Sequence, residues 1–226
     1  MNQILSTKKL SKALKKKLSD AKIELVAKNF IQTKSISFET PQLNDYLIFT
    51  SKKAVKSVLK LKNVHSISCL CVGSKTKNFL EKKGFTVIEN TNYAEDLIQI
   101  IEAKYKENSF TFFCGTIRKN TIPTYFQQNT IDFNEVIVYE TQLKPHKIDQ
   151  AFDGILFFSP SGVTSFLENN SVENKPCFCI GTTTAKAVEN RTKNITIAAQ
   201  PTVENVIDEV IKYYSPLTPE GGIRRT

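Results

Sequence analysis

Four short stretches of the chain carry small hydroxyl residues or glycine directly after an apolar run. They are residues 50–51, 73–76, 159–162 and 181–184. If each apolar run is a buried strand, each stretch begins a helix, where free backbone N–H groups and the positive end of the helix dipole favour carboxylate or phosphate oxygens. N-capping alone explains serine or threonine at any one of these turns. Four such turns together indicate a ligand with several anionic groups.

Two of these stretches are copies of the other two. Residues 45–59 align with residues 153–167 at an offset of 108, and six of the fifteen positions are identical. Residues 69–76 align with residues 177–184 at the same offset. Two blocks that share one offset indicate two copies of one unit, so a ligand site formed by both copies is expected to have pseudo-twofold symmetry.

Short apolar runs alternate with stretches of helical spacing along most of the chain. Leu10, Leu14 and Leu18 form one helical stripe. Strands that alternate with helices predict an α/β fold with parallel sheets and helices on both faces, and ten strands divide into two five-stranded sheets. The ten predicted strands are residues 3–6, 23–27, 46–49, 67–72, 86–88, 110–114, 135–139, 154–158, 177–180 and 195–198.

Two divisions of the chain satisfy the repeat. In the first, the chain is cut near residue 108. In the second, the first two strands join the strands after residue 150, and residues 33–141 form an inserted domain. The chain then crosses between domains near residues 33–41 and again near residues 140–146. The apolar pattern is compatible with both divisions.

Composition limits the class of protein. The chain has 226 residues, of which 40% are hydrophobic, so two domains with real cores are expected. No apolar run approaches the ~20 residues that span a bilayer, and no signal peptide is expected. Five cysteines, an odd number, favour a reducing compartment. The net charge of +9 fits a solvated lysine surface or attraction of an acidic ligand.

Several familiar motifs are missing from the sequence. There is no G-x-G-x-x-G fingerprint, and residues 181–186 lack the glycine spacing of a P-loop. The two Cys-x-Cys pairs lie inside apolar strands with no histidine nearby, so we expect buried thiols and no metal site. His65 and His146 are remote from any nucleophile signature. The lysine-rich segment 8–17 has no interleaved aromatics, which favours a solvated helix over a nucleic-acid surface.

Five segments of the chain resemble the uroporphyrinogen-III synthase family. Residues 157–163 (FFSPSGV) are similar to a serine-proline-serine-glycine turn of that family, and residues 180–187 (IGTTTAKA) to its glycine-proline-threonine-threonine-alanine turn. Thr182 stands where the family usually has proline. The resemblance runs from about residue 4 to residue 213. The remaining similar segments are the threonine-serine segment 49–55, the tyrosine segment 138–141, and residues 113–118 with Pro123.

The resemblance implies a fold and a division of the chain. It implies two similar Rossmann-like or flavodoxin-like domains with parallel five-stranded sheets, joined by a two-strand linker. One domain then comprises residues 1–32 plus 142–214, and the inserted domain comprises residues 33–141. We expect the tail, residues 215–226, to be disordered.

The resemblance also implies an activity. Hydroxymethylbilane, a linear tetrapyrrole with eight carboxylates, is cyclised to uroporphyrinogen III with loss of water and inversion of the terminal ring, without a cofactor. A cytoplasmic monomer that binds neither nucleic acid nor membrane is expected. Two rival classes are a non-catalytic two-domain receptor for a small poly-anion and a transferase that binds phosphates at the same turns.

The same resemblance assigns roles to residues of the turns. Tyr139 matches the family's tyrosine, and we expect it to supply or relay the proton for water loss; a tyrosine that only packs or binds a carboxylate is the alternative. Arg118 is a candidate partner for an acid group, with a plain surface role as the alternative. The predicted substrate-binding residues are Ser51, Thr76, Ser159, Ser161, Gly181, Thr183, Thr184 and Arg118.

Overall fold

The structure, a computed structural model, describes residues 1–215. Strands alternate with helices along most of this part of the chain. The strands are β1 (Asn2–Ser6), β2 (Ile23–Ala27), β3 (Ile31–Ser35), β4 (Tyr46–Phe49), β5 (Cys69–Val72), β6 (Val87–Thr91), β7 (Phe110–Gly115), β8 (Phe133–Leu143), β9 (Gly154–Phe157), β10 (Cys177–Cys179) and β11 (Ile195–Ile197). The helices are α1 (Lys12–Asp20), α2 (Lys52–Val58), α3 (Ser74–Lys82), α4 (Ala94–Lys104), α5 (Thr121–Gln128), α6 (Pro160–Leu167), α7 (Thr182–Val188) and α8 (Val203–Tyr214).

The chain forms two compact units. The first unit combines Met1–Gln32 with the described part of Leu143–Thr226, and the second unit is Thr33–Gln142. The chain therefore passes from one unit to the other twice, after residue 32 and after residue 142. Apart from Ser215, the tail that was expected to be disordered lies outside the described residues.

The first unit contains a parallel sheet with the strand order β11-β10-β9-β1-β2. Side chains of β9 alternate between its faces. Ile155 and Phe157 pack in a cluster with α6 and α7, whereas Leu156 packs in a second cluster with α1 and α8. Helices therefore cover both faces, which is why β9 is a continuous apolar run without polar alternation.

The second unit contains a sheet with the strand order β3-β8-β7-β4-β5-β6. It has six strands, so the prediction of five is wrong for this unit. The additional strand is β3, which lies at the edge next to β8 and is partly exposed over its whole length. Its sequence Ile-Gln-Thr-Lys-Ser has no apolar run, because an edge strand does not need two buried faces.

The two sheets share one spatial order. Strands β6-β5-β4-β7-β8 of the second unit correspond to β11-β10-β9-β1-β2 of the first, so the repeat is circularly permuted in the chain. The register agrees as well. Asp45 accepts a hydrogen bond from the backbone N–H of Ser109 at 2.9 Å, and Asp153, 108 residues later, accepts one from Gln3 at 2.7 Å.

Each sheet has one point at which the direction of winding reverses. In the second unit this point lies between β4 and β7, and in the first unit it lies between β9 and β1. In open α/β sheets, ligands bind beyond the carboxyl ends of the strands at this position. The turns after β4, β7, β9 and β1 are therefore the first places to examine for a site.

All five cysteines are free thiols buried in the cores. Cys69 and Cys71 share one face of β5, and Cys177 and Cys179 share one face of β10, as strand alternation predicts. Burial raises the pKa of Cys69, Cys177 and Cys179 to about 12. These side chains therefore act as small apolar groups.

Candidate functional site

Ser51 begins helix α2 at the carboxyl end of β4. Its backbone is extended, with φ −152° and ψ 144°, and its hydroxyl accepts a hydrogen bond from the backbone N–H of Ala54 at 3.2 Å. This is an ordinary N-cap. The same hydroxyl also donates to the phenol oxygen of Tyr139 at 3.2 Å. Ser51 therefore joins the start of α2 to strand β8, which lies two strands away in the sheet.

Tyr139 reaches Ser51 because of an irregularity in strand β8. Cys114 is opposite Ile137, but the next residue, Gly115, is opposite Tyr139, so Val138 is an extra residue in β8. Val138 and Tyr139 consequently contact the same apolar cluster, although neighbours in a regular strand face opposite sides. The half-buried Tyr139 ring is thereby directed towards the turn after β4.

An open cavity of about 300 Å³ lies at this edge of the second unit. Its walls come from the turns after β4, β6 and β7, from the start of α5, from the end of β5 and from single residues within β7 and β8. Apolar and polar groups both contribute, and the sequence-predicted residues Ser51, Arg118 and Tyr139 all lie on its wall. The lining residues are Thr50, Ser51, Val72, Asn92, Tyr93, Ala94, Phe112, Ile117, Arg118, Lys119, Thr121, Ile122 and Tyr139.

Arg118 is held by an acidic partner that the sequence analysis did not identify. Its Nε and Nη2 atoms donate to the two carboxylate oxygens of Glu135 at 2.9 and 2.7 Å, and Nη1 donates to Asn120. The side chains of Arg118 and Glu135 are 27% and 20% exposed, respectively. These hydrogen bonds raise the pKa of the guanidinium above its usual value. The pair positions Arg118 on the cavity wall and also neutralises much of its charge.

Thr76 is not brought to the cavity. It lies in the first turn of α3, is only 6% exposed, and is absent from the cavity wall among the described residues. The outward positions of that turn are Ser74 and Lys75. The threonine side chain thus faces the interior of its own unit.

In the first unit, Ser159 begins helix α6. Its hydroxyl accepts from the backbone N–H of Gly162 at 3.1 Å and lies 3.1 Å from the hydroxyl of Ser161. Pro160 occupies the first helical turn, where its lack of an N–H has no cost. The two predicted serines are therefore brought into contact, and both are half-buried.

Thr7 was missed by the sequence analysis. It follows β1, the neighbour of β9, and its hydroxyl donates to the carbonyl oxygen of Leu156 at 2.8 Å. A Cβ on Gly162 would lie 3.6 Å from the Thr7 hydroxyl oxygen. Thr7 thus packs against the Ser159 turn, at the point where the winding of this sheet reverses. Its position after a predicted strand was the available signal.

The turn after β10 carries the remaining predicted residues. Gly181 is the extended N-cap of α7, and a Cβ added there would meet no atom within 4 Å. The space in front of its backbone is therefore open. Thr183 is half-buried, whereas Thr184 is 3% exposed and faces the interior, like Thr76 in the other unit. The repeat thus preserves an inward threonine as the third helical residue.

Two further observations concern residues 1–215 as a whole. Within this range, histidine, cysteine, aspartate and glutamate form no group of three or more that could hold a metal ion. No helix in the same range is long and apolar enough to cross a membrane.

Comparisons with known proteins agree with this description. A family model described as uroporphyrinogen-III synthase HemD matches residues 12–208. A uroporphyrinogen-III synthetase from Helicobacter pylori has a similar structure, with a TM-score of 0.71 and 21% identity over 94% of this chain and 100% of that chain. A mutant uroporphyrinogen III synthase from Thermus thermophilus gives a TM-score of 0.65 at 10% identity, over 94% and 98% of the two chains. At these identities, the structural likeness shows a shared α/β fold with parallel sheets.

Proposed function

Since this chain belongs to the uroporphyrinogen-III synthase family, and so cyclises hydroxymethylbilane to uroporphyrinogen III, we propose how its own residues perform that reaction. The substrate loses its hydroxymethyl oxygen as water, which leaves an electrophilic azafulvene. The substituted carbon of the terminal ring attacks the methylene carbon of the azafulvene and gives a spiro intermediate. The bond between the spiro carbon and its original bridging carbon then breaks, the terminal ring turns over, and the bridging carbon bonds to the free α-carbon of that ring with loss of a proton. No step in this sequence needs a nucleophile from the protein.

Tyr139 supplies or relays the proton for water loss. Its phenol oxygen accepts a hydrogen bond from Ser51, whose own oxygen is occupied by the N–H of Ala54. This arrangement leaves the phenol O–H available to donate to the leaving hydroxyl of the substrate. A donor in this position assists C–O cleavage because the departing oxygen leaves as water and not as hydroxide.

Binding of the carboxylates is distributed over the turns. In the second unit, Arg118 and the neighbouring Lys119 offer donors to the cavity, and Ser51, whose hydroxyl proton is donated to Tyr139, lies beside them on the cavity wall. In the first unit, Ser159, Ser161, Gly181 and Thr183 surround the starts of α6 and α7. Thr76 and Thr184 contribute by holding their turns from inside, because both are nearly covered. Many modest contacts can fix one conformation of a flexible poly-acid.

The two units are the two domains, of which the first is discontinuous in sequence. The two chain crossings form a two-strand linker between them. The enzyme is proposed to be a cytoplasmic monomer without a cofactor. Five free thiols in the cores support a reducing compartment. Sedimentation of the purified protein at several concentrations tests the monomer, since a dimer would appear as a concentration-dependent increase in mass.

The proposed site rests on the hydrogen bond between Ser51 and Tyr139. This bond lies on the wall of a cavity, where the direction of winding of the sheet reverses. The test is to incubate the protein with freshly generated hydroxymethylbilane, oxidise the product and separate the porphyrin isomers. Wild type is expected to give mainly isomer III, and Tyr139→Phe to give mainly isomer I, the product of spontaneous closure. Unchanged turnover and isomer ratio in Tyr139→Phe would remove the phenol from the chemistry.

A further inference from the structure

Gly115 is the last residue of β7 and lies directly beneath the ring of Tyr139. A Cβ added at Gly115 would lie 2.4 Å from both Cε2 and Cζ of that ring, and 2.9 Å from Cε1. These distances are far below van der Waals contact, so no larger residue fits while the ring keeps its place. Glycine here provides space for the ring.

The backbone conformation of residue 115 does not require glycine. Gly73 and Gly84 have φ of 91° and 83°, where other residues are strained, but Gly115 lies outside that region. Its backbone therefore tolerates alanine. The three atoms nearest to a Cβ at residue 115 all belong to the Tyr139 ring, so the main effect of a side chain there is expected to fall on Tyr139.

The backbone on both sides of the ring is fixed. The N–H of Thr116 donates to the carbonyl oxygen of Tyr139 at 3.1 Å, and the N–H of Thr141 donates to the hydroxyl oxygen of Thr116 at 3.1 Å. With the extra residue Val138, these bonds place Tyr139 opposite Gly115. Because the strands cannot separate without losing these bonds, an added methyl group displaces the ring and not the backbone.

We propose that Gly115 is a positioning residue for Tyr139, which it keeps within reach of Ser51 and of the cavity. The inference rests on the proposed role of Tyr139 in the cyclisation. Three features act together: the extra residue in β8 directs the ring, Gly115 leaves room for it, and Ser51 fixes the phenol oxygen. Gly115 therefore contributes to the reaction because it has no side chain that would displace the Tyr139 ring.

The consequence for catalysis follows from distance. A methyl group at residue 115 requires the ring to move by about an ångström, and a misplacement of that size can cost roughly a hundredfold in turnover. The ring pivots on two side-chain torsions and is only half-buried, so the protein can accommodate the change and remain folded. Substrate binding, which is distributed over many groups, changes much less.

A double-mutant cycle tests this inference. Turnover, KM and isomer ratio are measured with fresh hydroxymethylbilane for wild type, Gly115→Ala, Tyr139→Phe and the double variant. We expect Gly115→Ala to lower kcat by roughly a hundredfold with little change in KM. In the Tyr139→Phe background the same substitution should lower kcat less than about twofold, since coupled residues give non-additive effects.

Gly154→Ala is the matched control. Gly154 is also a buried strand glycine facing a tyrosine, since a Cβ there would lie 2.8 Å from the hydroxyl oxygen of Tyr214. It is the first residue of β9, at the amino end of its sheet, away from the turns of the candidate site. Gly154→Ala should reduce thermal stability, but kcat and isomer ratio should stay at wild-type values below its melting temperature.

If Gly115→Ala does not fold, a second pair of variants decides the question. Tyr139→Ala removes the ring, so Gly115→Ala added to it should fold and melt at the temperature of Tyr139→Ala alone. A double variant that still fails to fold would show that the ring is not what Gly115 accommodates, and it would overturn the inference.

The remaining outcomes separate the two proposals. If Tyr139→Phe loses activity but folded Gly115→Ala keeps wild-type kcat, the positioning role is wrong and the role of Tyr139 stands. Full additivity in the cycle also overturns the positioning role. If Tyr139→Phe itself is fully active, the proposed role of the phenol fails, whatever Gly115→Ala does.

Discussion

The hydroxyl oxygen of Ser51 lies 3.2 Å from the phenol oxygen of Tyr139, although 88 residues separate them in the chain. One serine thus completes a helix cap and holds a tyrosine on the cavity wall. The two functions make different predictions about stability and activity, because a cap acts on the whole unit whereas the tyrosine contact acts on the site.

Ser51→Ala is expected to reduce both the stability and the activity of the protein. Loss of an N-cap costs about 1 kcal/mol of unfolding free energy, and loss of the contact frees the Tyr139 ring and lowers kcat. Ser11→Ala is the control, since Ser11 caps α1 through the N–H of Leu14 at 3.3 Å and is not on the cavity wall. Urea unfolding and turnover measured on both variants should show similar losses of stability but a loss of activity only in Ser51→Ala.

Arg118→Met is expected to weaken substrate binding and folding together. It leaves the Glu135 carboxylate without its bidentate partner, at a cost of roughly 1–3 kcal/mol, between the values for exposed and buried pairs. Adding Glu135→Leu removes the unpaired charge and should restore unfolding free energy. If Arg118 binds a substrate carboxylate, the double variant keeps a raised KM. A double variant with wild-type KM would show that Arg118 has a structural role and does not bind the substrate.

Single hydroxyl deletions in the first unit are expected to weaken substrate binding without abolishing activity. Ser159→Ala and Ser161→Ala each remove one hydroxyl that can donate to a substrate carboxylate, and a hydrogen bond to a charged group is worth about 1.5–3 kcal/mol, which corresponds to roughly a ten- to hundredfold rise in KM. Steady-state kinetics at several substrate concentrations measures this change. A thousandfold loss from either substitution would contradict distributed binding of the carboxylates.

Asp45 is expected to make folding of the second unit sensitive to acid. The backbone N–H of Ser109, followed by its hydroxyl, lowers the pKa of this carboxyl below its usual value. A group whose pKa is lower in the folded state stabilises above its unfolded pKa, about 3.9 for aspartate, and loses this contribution as pH falls through the folded pKa. Urea unfolding of wild type and Asp45→Asn at pH 7 and pH 3 should show a smaller drop in the variant. An equal drop in both proteins would remove Asp45 from the acid response.

Much of the local structure was predictable from residues 45–59 and 153–167. Both segments show an apolar run, a hydroxyl residue and a helix start, and the structure has β4-Ser51-α2 and β9-Ser159-α6 at these places. The reason is that strand burial and helix capping depend on a few neighbouring residues. Strand β3 was missed because an exposed edge strand leaves no apolar pattern.

Side-chain direction within the turns was less predictable. Thr76 and Thr184 were predicted from the sequence to present their hydroxyls to a ligand, but both side chains are almost fully buried. Glycine, serine and threonine at a helix start are compatible with either face, since capping fixes the backbone and not the side to which the third residue points. Arg118 was predicted to pair with an acid group or to lie on the surface, and its partner Glu135 was not identified, because Glu135 belongs to a strand that pairs with β7 only in the folded sheet.

By itself, the sequence determined that there are two copies of one α/β unit, with turns of small hydroxyl residues and glycine at the ends of buried strands. These properties follow from hydrophobic periodicity and local capping chemistry, which are written in consecutive residues. Only the tertiary structure decided that Tyr139 meets Ser51 above Gly115. That meeting depends on one extra residue in strand β8 and on the absence of a side chain in the neighbouring strand, and pairing across a sheet is a non-local choice that no single segment encodes.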